Sequence, residues 1–184
     1  MATLTEKSPV YPSPDRAAEF EGIVKRNQRR LIAIGYRMLG NLEEARDLAQ
    51  ETFIRLWQTH LWPEEASGTF ALLSRILINL CIDRLRWRKR HQLFFWRTEN
   101  AESDPSSFDD LEQGVSNGEL TTLMESATAR LKPKQKAAFV LRDVEGYSVR
   151  ETAVLLGCSE NNVLVNLHLA RKNLRKWLTP YLKE

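Results

Sequence analysis

The chain has 184 residues, 42% of them hydrophobic and 28% charged, with a formal net charge of +3 at pH 7. That is enough for one domain or two small ones with a buried core. It excludes bilayer-length apolar runs, an apolar leader and a metal or disulfide framework, since the two cysteines, Cys81 and Cys158, lie far apart with no ligand partner at metal spacing. Both cysteines read as small buried hydrophobes. The expectation is a soluble, cytoplasmic protein with no membrane insertion, no metal and no cofactor.

Residues 1–14 carry Pro9, Pro12 and Pro14 with little apolar content and read as a disordered N-terminal tail. Helical periodicity then runs from about Asp15 through Phe20, Ile23, Val24, Leu31, Ile34 and Leu39, until Gly40 and Asn41 break it. A second helix is predicted from about Leu42 to His60, with Leu48, Thr52, Phe53 and Leu56 largely on one face. Asp47, Gln50 and Glu51 fall three and four residues apart and share another face. That stripe is either a solvated helix surface or a partner surface of acid and amide aimed at basic residues of another protein.

Trp62 through Gly68 reads as a loop, and a third helix is predicted from about Thr69 to Arg90, apolar until Ile82 and basic beyond. Asn79, Asp83, Arg86 and Arg90 share one face. Arg84, Arg86, Arg88, Lys89, Arg90 and Arg97 follow one another with no acid between them. Cations at a helix C-terminus suit the macrodipole, but this density exceeds that need and suits phosphate contacts, and an amide such as Asn79 suits a base edge. Leu93 to Trp96 can stack on unpaired bases or fold back to close the first core, the favoured reading.

Residues 98–117 have no helical period and carry Glu99, Glu102, Asp104, Asp109, Asp110 and Glu112 without a base, so they read as a flexible acidic linker. A second helical region begins near Gly118, with Leu120, Leu123, Met124, Ala127 and Leu131 marking one helix. Pro133 opens the next, through Leu141, and Gly146 ends it. Ala153, Gly157 and Val163 then stand where a helix-turn-helix needs a close approach, a positive φ and a packing contact. Ser159 can cap the second helix of this motif, which a short turn sets up to enter a DNA major groove; the plainer reading is a helical hairpin. Its candidate DNA-facing residues are Ser159, Asn161, Asn162, Asn166, His168 and Arg171. Leu164, Val165, Leu167 and Leu169 are more apolar residues than one buried face needs. Pairing Leu164 with Leu167 and Val165 with Leu169, at least one pair is expected outside, unless the first domain, a second copy or another protein covers it.

The fold expected is all-α, with two small helical domains, 15–97 and 118–184, joined by the linker at 98–117. No catalytic constellation is present: His60, His91 and His168 lie in separate segments without a nucleophile in a recognisable setting, and no phosphate-binding glycine loop occurs.

Taken together, these pieces resemble the sigma-70 family of bacterial transcription initiation factors, in its two-domain extracytoplasmic-function branch. The resemblance covers about Ala17 to Leu178. It rests on Ala45 through Phe53 with Trp57, on Arg75, Ile76, Asn79, Asp83 and Arg86, on Leu131 through Gln135, on Val144 through Ser148, and on Glu151 through Leu174. It implies that Asp47, Gln50 and Glu51 dock on the clamp helices of the polymerase β′ subunit. It implies that the segment Trp62–Phe70 opens the minus-10 promoter element, and that Asn79, Asp83, Arg86, Arg88, Lys89 and Arg90 help to read it. The linker would thread toward the active-site cleft and RNA exit channel. The C-terminal domain would bind the minus-35 element and the β flap, and an anti-sigma factor would hold the protein inactive. The chain departs from relatives at Leu72, where a tryptophan is common, at Thr69, near which an aromatic is common, and at Arg46, where an acid is common. It also departs at Leu164, Asn166 and Leu169, where cations are usual. The function implied is a sigma factor without catalytic activity. The alternatives are a free-standing helix-turn-helix regulator and a protein-interaction module.

Overall fold

The apolar spacing along the chain closes into seven α-helices and no strand among the described residues. The structure, a computed structural model, describes residues 14–59, 66–95 and 118–181. The N-terminal tail, the linker and most of the loop before the third helix lie outside those residues.

Helix α1 spans Pro14–Leu39 and α2 spans Leu42–Thr59. Between them Gly40 takes a φ of 69°, a left-handed conformation that costs glycine little. Asn41 then caps α2, its side-chain oxygen accepting from the Glu44 N–H at 2.9 Å. Helix α3 runs Ala66–Phe95, so it starts before Thr69 and continues past Arg90. Thr69 and Leu73 are buried, which anchors the first turns to the core. The basic end holds no glycine or proline, its arginines and lysine are good helix formers, and the Trp87 and His91 rings meet at 4.3 Å across one turn.

The C-terminal block has α4, Gly118–Ala129; α5, Pro133–Phe139; α6, Val149–Leu156; and α7, Glu160–Leu178. Pro133 suits the first turn of α5. The sequence predicts regular helix through Leu141, but residues Val140–Val144 form a π-helical turn, in which the Glu145 N–H reaches the Val140 carbonyl at 2.9 Å. The wider turn buries Val140 and Leu141 together and leaves Asp143 outside.

Ile34, Met38, Leu56, Leu77 and Ile78 fill the core of α1–α3, and Ala137, Val140, Leu141 and Leu155 of the C-terminal block join that same core. A smaller cluster of Ala127, Leu131, Ala170, Leu174 and Leu178 holds α4 to α7. The two blocks therefore pack together, α3 against α5 and α6. Polar contacts reinforce the seam: Arg37 to Glu145 at 2.6 Å, Tyr36 Oη donating to Glu125 at 3.2 Å, and Lys89 Nζ donating to the Leu131 carbonyl at 3.3 Å.

Candidate nucleic-acid and partner interfaces

The helix-turn-helix is fixed by local chemistry. Ser148 and Glu151 form a reciprocal capping box: the Ser148 hydroxyl accepts from the Glu151 N–H at 3.1 Å, and the Glu151 carboxylate accepts from the Ser148 N–H at 2.8 Å. The Ser148 hydroxyl, and then the Ser148 N–H, hold the Glu151 carboxyl below its ordinary value. Serine followed three residues later by glutamate was a visible signal for this start. Gly157 ends α6 with a φ of 58°, and Ser159 caps α7 by accepting from the Asn162 N–H at 3.3 Å. Ala153, Val163, Leu167 and Ala170 are buried, so α7 is seated firmly on α6.

Leu174 and Leu178 of α7 are buried too, and its other side chains are half-buried or exposed. Ser159, Asn161, Asn162 and His168 are exposed and Asn166 is half-buried. Asn166 Nδ2 donates to the Asn162 carbonyl at 2.8 Å and to Asn162 Oδ1 at 3.3 Å. Arg171 is held in a fork by Asp143, at 2.8 and 2.6 Å, and the pair raises the guanidinium's pKa. Val165 and Leu169 are both outside, as expected for one of the two pairs, at 49% and 39% exposure. The other pair is split, with Leu164 at 50% and Leu167 at 4%. Three residues is not a whole helical turn, and these two straddle the edge of the buried face. The N-terminal block does not cover the exposed residues.

On α3, Asn79, Asp83, Arg86 and Arg90 are exposed and share the face their spacing predicts. Arg86 pairs with Asp83 at 3.1 Å. Arg88 and Lys89 turn elsewhere. Arg88 binds Glu44 of α2 at 2.6 Å and donates to the Leu39 carbonyl at 2.9 Å, while Lys89 bridges to the C-terminal block. In the packed form these cations tie elements together. Phe70 is half-buried with the Arg30 guanidinium 4.1 Å above its ring. The side chains of Leu93 to Trp96 lie outside the described residues.

On α2, Asp47 and Gln50 are exposed, and the half-buried Glu51 pairs with Arg55 at 2.8 Å. Gln50 stands at the rim of an apolar groove of about 640 Å³ between α1 and α2, walled by Phe20, Val24, Phe53, Ile54 and Trp57. The groove is not legible in the sequence because half of its wall comes from α1. Ile54, 45% exposed, was the available signal: an apolar residue off the buried face.

Two titratable groups mark buried sites. Burial pushes the Cys81 thiol up to about 12. Cys158, expected inside, is only half-buried, because the turn after Gly157 carries it outward. Lys136 of α5 is 4% exposed and forms no ion pair among the described residues; burial, then the Arg88 charge, lower it to about 8. No group of three or more metal-ligating side chains occurs among the described residues. No helix there is long and apolar enough to cross a membrane.

Residues 23–91 match the family description Sigma-70 region 2, and residues 122–174 match Sigma-70, region 4. The chain is similar to the ECF RNA polymerase sigma factor SigE of Mycolicibacterium smegmatis, with 32% identity over 92% of this chain and 66% of that protein. It is similar to SigG of Mycobacterium tuberculosis, with 31% identity over 95% of this chain and 53% of that protein. The chain thus spans about two thirds of one mycobacterial relative and about half of the other. Against the ECF RNA polymerase sigma factor SigW of Bacillus subtilis, identity is 30% over 86% of this chain and 88% of that one. Among solved structures, the sigma factor RpoE from Bartonella quintana, crystallised with the anti-sigma factor NepR, shares the fold. The TM-score is 0.67, with 20% identity over 90% of this chain and 99% of that one.

Proposed function

We propose that this chain, which belongs to the sigma-70 family and to its extracytoplasmic-function (ECF) branch, binds core RNA polymerase in the cytoplasm and directs it to promoters. It supplies recognition and no catalysis. The observation that carries this reading is the presence of both modules in one chain: a region 2 match over 23–91 whose α3 exposes Asn79, Asp83, Arg86 and Arg90, and a region 4 match over 122–174 built as a capped helix-turn-helix. A free-standing regulator has no use for the first.

Asp47, Gln50 and Glu51 make the polar rim of the polymerase contact, and the apolar groove beside Gln50 gives it a core that excludes water. Asn79 reads a base edge at the minus-10 element while Arg86 and Arg90 hold phosphates. Arg88 and Lys89 join them once freed from their partners in the packed form. Helix α7 takes the minus-35 element, with the β flap as a further contact. The acidic linker runs toward the active-site cleft, and an anti-sigma factor is the expected inhibitor.

The two readers cannot work in the packed form. Elements centred 25 base pairs apart are separated by about 85 Å along B-DNA, at 3.4 Å per pair. Helix α3 itself, 30 residues long, spans only about 45 Å, and α6 of the reading motif lies against it. The blocks must part on the polymerase. The contact is tested by titrating labelled chain with core enzyme. Asp47→Lys should weaken binding on the order of a hundredfold with an unchanged melting temperature; equal affinity would remove Asp47 from the interface.

A further inference from the structure

The outward face of α7 is unusual for a helix that reads DNA. Asn161, Leu164, Val165, His168, Leu169 and Lys172 recur at helical spacing, are all exposed, and lie opposite the buried Val163, Leu167, Ala170 and Leu174. From Glu160 to Ala170 this helix has no arginine or lysine. The first, Arg171, is occupied by Asp143, and the next, Lys172, stands at the far end of the stripe.

The base edges sort what such a face can recognise. Guanine is read by the fork of arginine or the ammonium of lysine on O6 and N7. No side chain in the base-reading turns offers either. Adenine is read by an amide that donates to N7 and accepts from N6, and the thymine methyl is read by apolar contact. Asn161 has a solvent-exposed amide in the first turn of the helix, where a recognition helix meets base edges. Leu164 and Val165 follow one turn on. His168 can meet a purine N7, an acceptor that adenine and guanine share, so it does not discriminate. Asn166 is spent on Asn162.

We propose that the α7 stripe of Asn161, Leu164 and Val165 makes this chain a reader of A·T base pairs at its upstream element, with guanine excluded for want of a cation. This rests on the promoter-binding reading above and names the DNA class its C-terminal motif accepts. The exposed apolar residues are then contacts to thymine methyl groups, and Lys172, exposed at the far end of the stripe, is placed to hold a phosphate. Glu160 stands off the stripe at the helix start, where its carboxylate complements the dipole.

The test is in-vitro transcription by core polymerase with the full chain, over a template library in which both promoter segments are randomised. A·T pairs should be selected in the upstream segment, each G·C replacement at a read position costing about tenfold. Asn161→Ala should flatten the preference for adenine at one position. Leu164→Lys with Leu169→Arg should create a preference for guanine, and Glu160→Gln should leave the selection as it was. Selection of G·C pairs by the unaltered chain would overturn the inference and leave the sigma reading intact. Transcription with no upstream selection would also overturn it, and would assign the apolar stripe to a protein partner. No transcription above core enzyme alone would overturn the sigma reading and this inference with it.

Discussion

At the scale of single residues, the reading motif depends on a few backbone-level choices. Gly157 holds a φ of 58°, and a β-branched side chain there is strained whatever space surrounds it. Ser159 satisfies an otherwise orphan N–H of α7, and Ser159→Ala should cost about 1 kcal/mol. For a chain of this size that lowers the melting temperature by about 2–4 °C, measurable by thermal unfolding. Gly157→Val should cost more and weaken promoter binding, because it tilts α7 away from α6; an unchanged melting temperature for Gly157→Val would show that the turn tolerates the strain. These positions were legible in the sequence because their roles are local. The same holds for Gly40 and for the Asp47–Gln50 face. What could not be read was which partners the long cations choose. Arg88 and Lys89 look like phosphate ligands on a one-dimensional chain, yet they bind Glu44 and Leu131 in the folded one.

At the scale of elements, the seam between α3 and α5 carries an electrostatic defect in Lys136. A lysine held at about 8 in the folded chain and at its ordinary 10.5 when unfolded binds its proton more readily unfolded. Its contribution therefore rises as pH climbs from about 8 toward 10.5 and is flat below 8, by up to about 3 kcal/mol in all. Cys81 acts in the opposite sense. Its thiol, raised from 9.0 to about 12, favours the unfolded chain as pH rises above about 9. Stability should therefore climb between about pH 8 and 9 and then stop climbing. Lys136→Met should abolish the climb and raise the melting temperature near neutrality; a variant less stable than the parent at pH 7 would show that the ammonium has a favourable partner. The sequence marks α5 clearly through Pro133 and the apolar run that follows. That Lys136 is buried was not legible, since Cys81 and Arg88, whose groups act on its charge in the folded chain, lie far upstream. The π-helical turn at Val140–Val144 was hidden for the same reason: its wider hydrogen bonding is selected by what Val140 and Leu141 pack against, not by local propensity.

At the scale of the whole molecule, the α1–α3 block and the C-terminal block lie packed together in the free chain, and the proposed function requires them to separate on the polymerase. The helix order and both modules were legible from periodicity and breaks. Their mutual packing was not, because Ala137, Val140, Leu141 and Leu155 read equally well as the inner face of an independent C-terminal domain. Energy transfer between dyes on α3 and α7 measures the separation directly. Cysteines placed at the exposed Ala71 and Arg175 in a Cys158→Ser background accept the dyes, while Cys81, fully buried and with its thiol raised to about 12, stays unlabelled. High transfer is expected in the free chain, and its loss when core polymerase and promoter DNA are added, as the two blocks move toward a separation of about 85 Å. High transfer that persists in an active complex would rule the separation out.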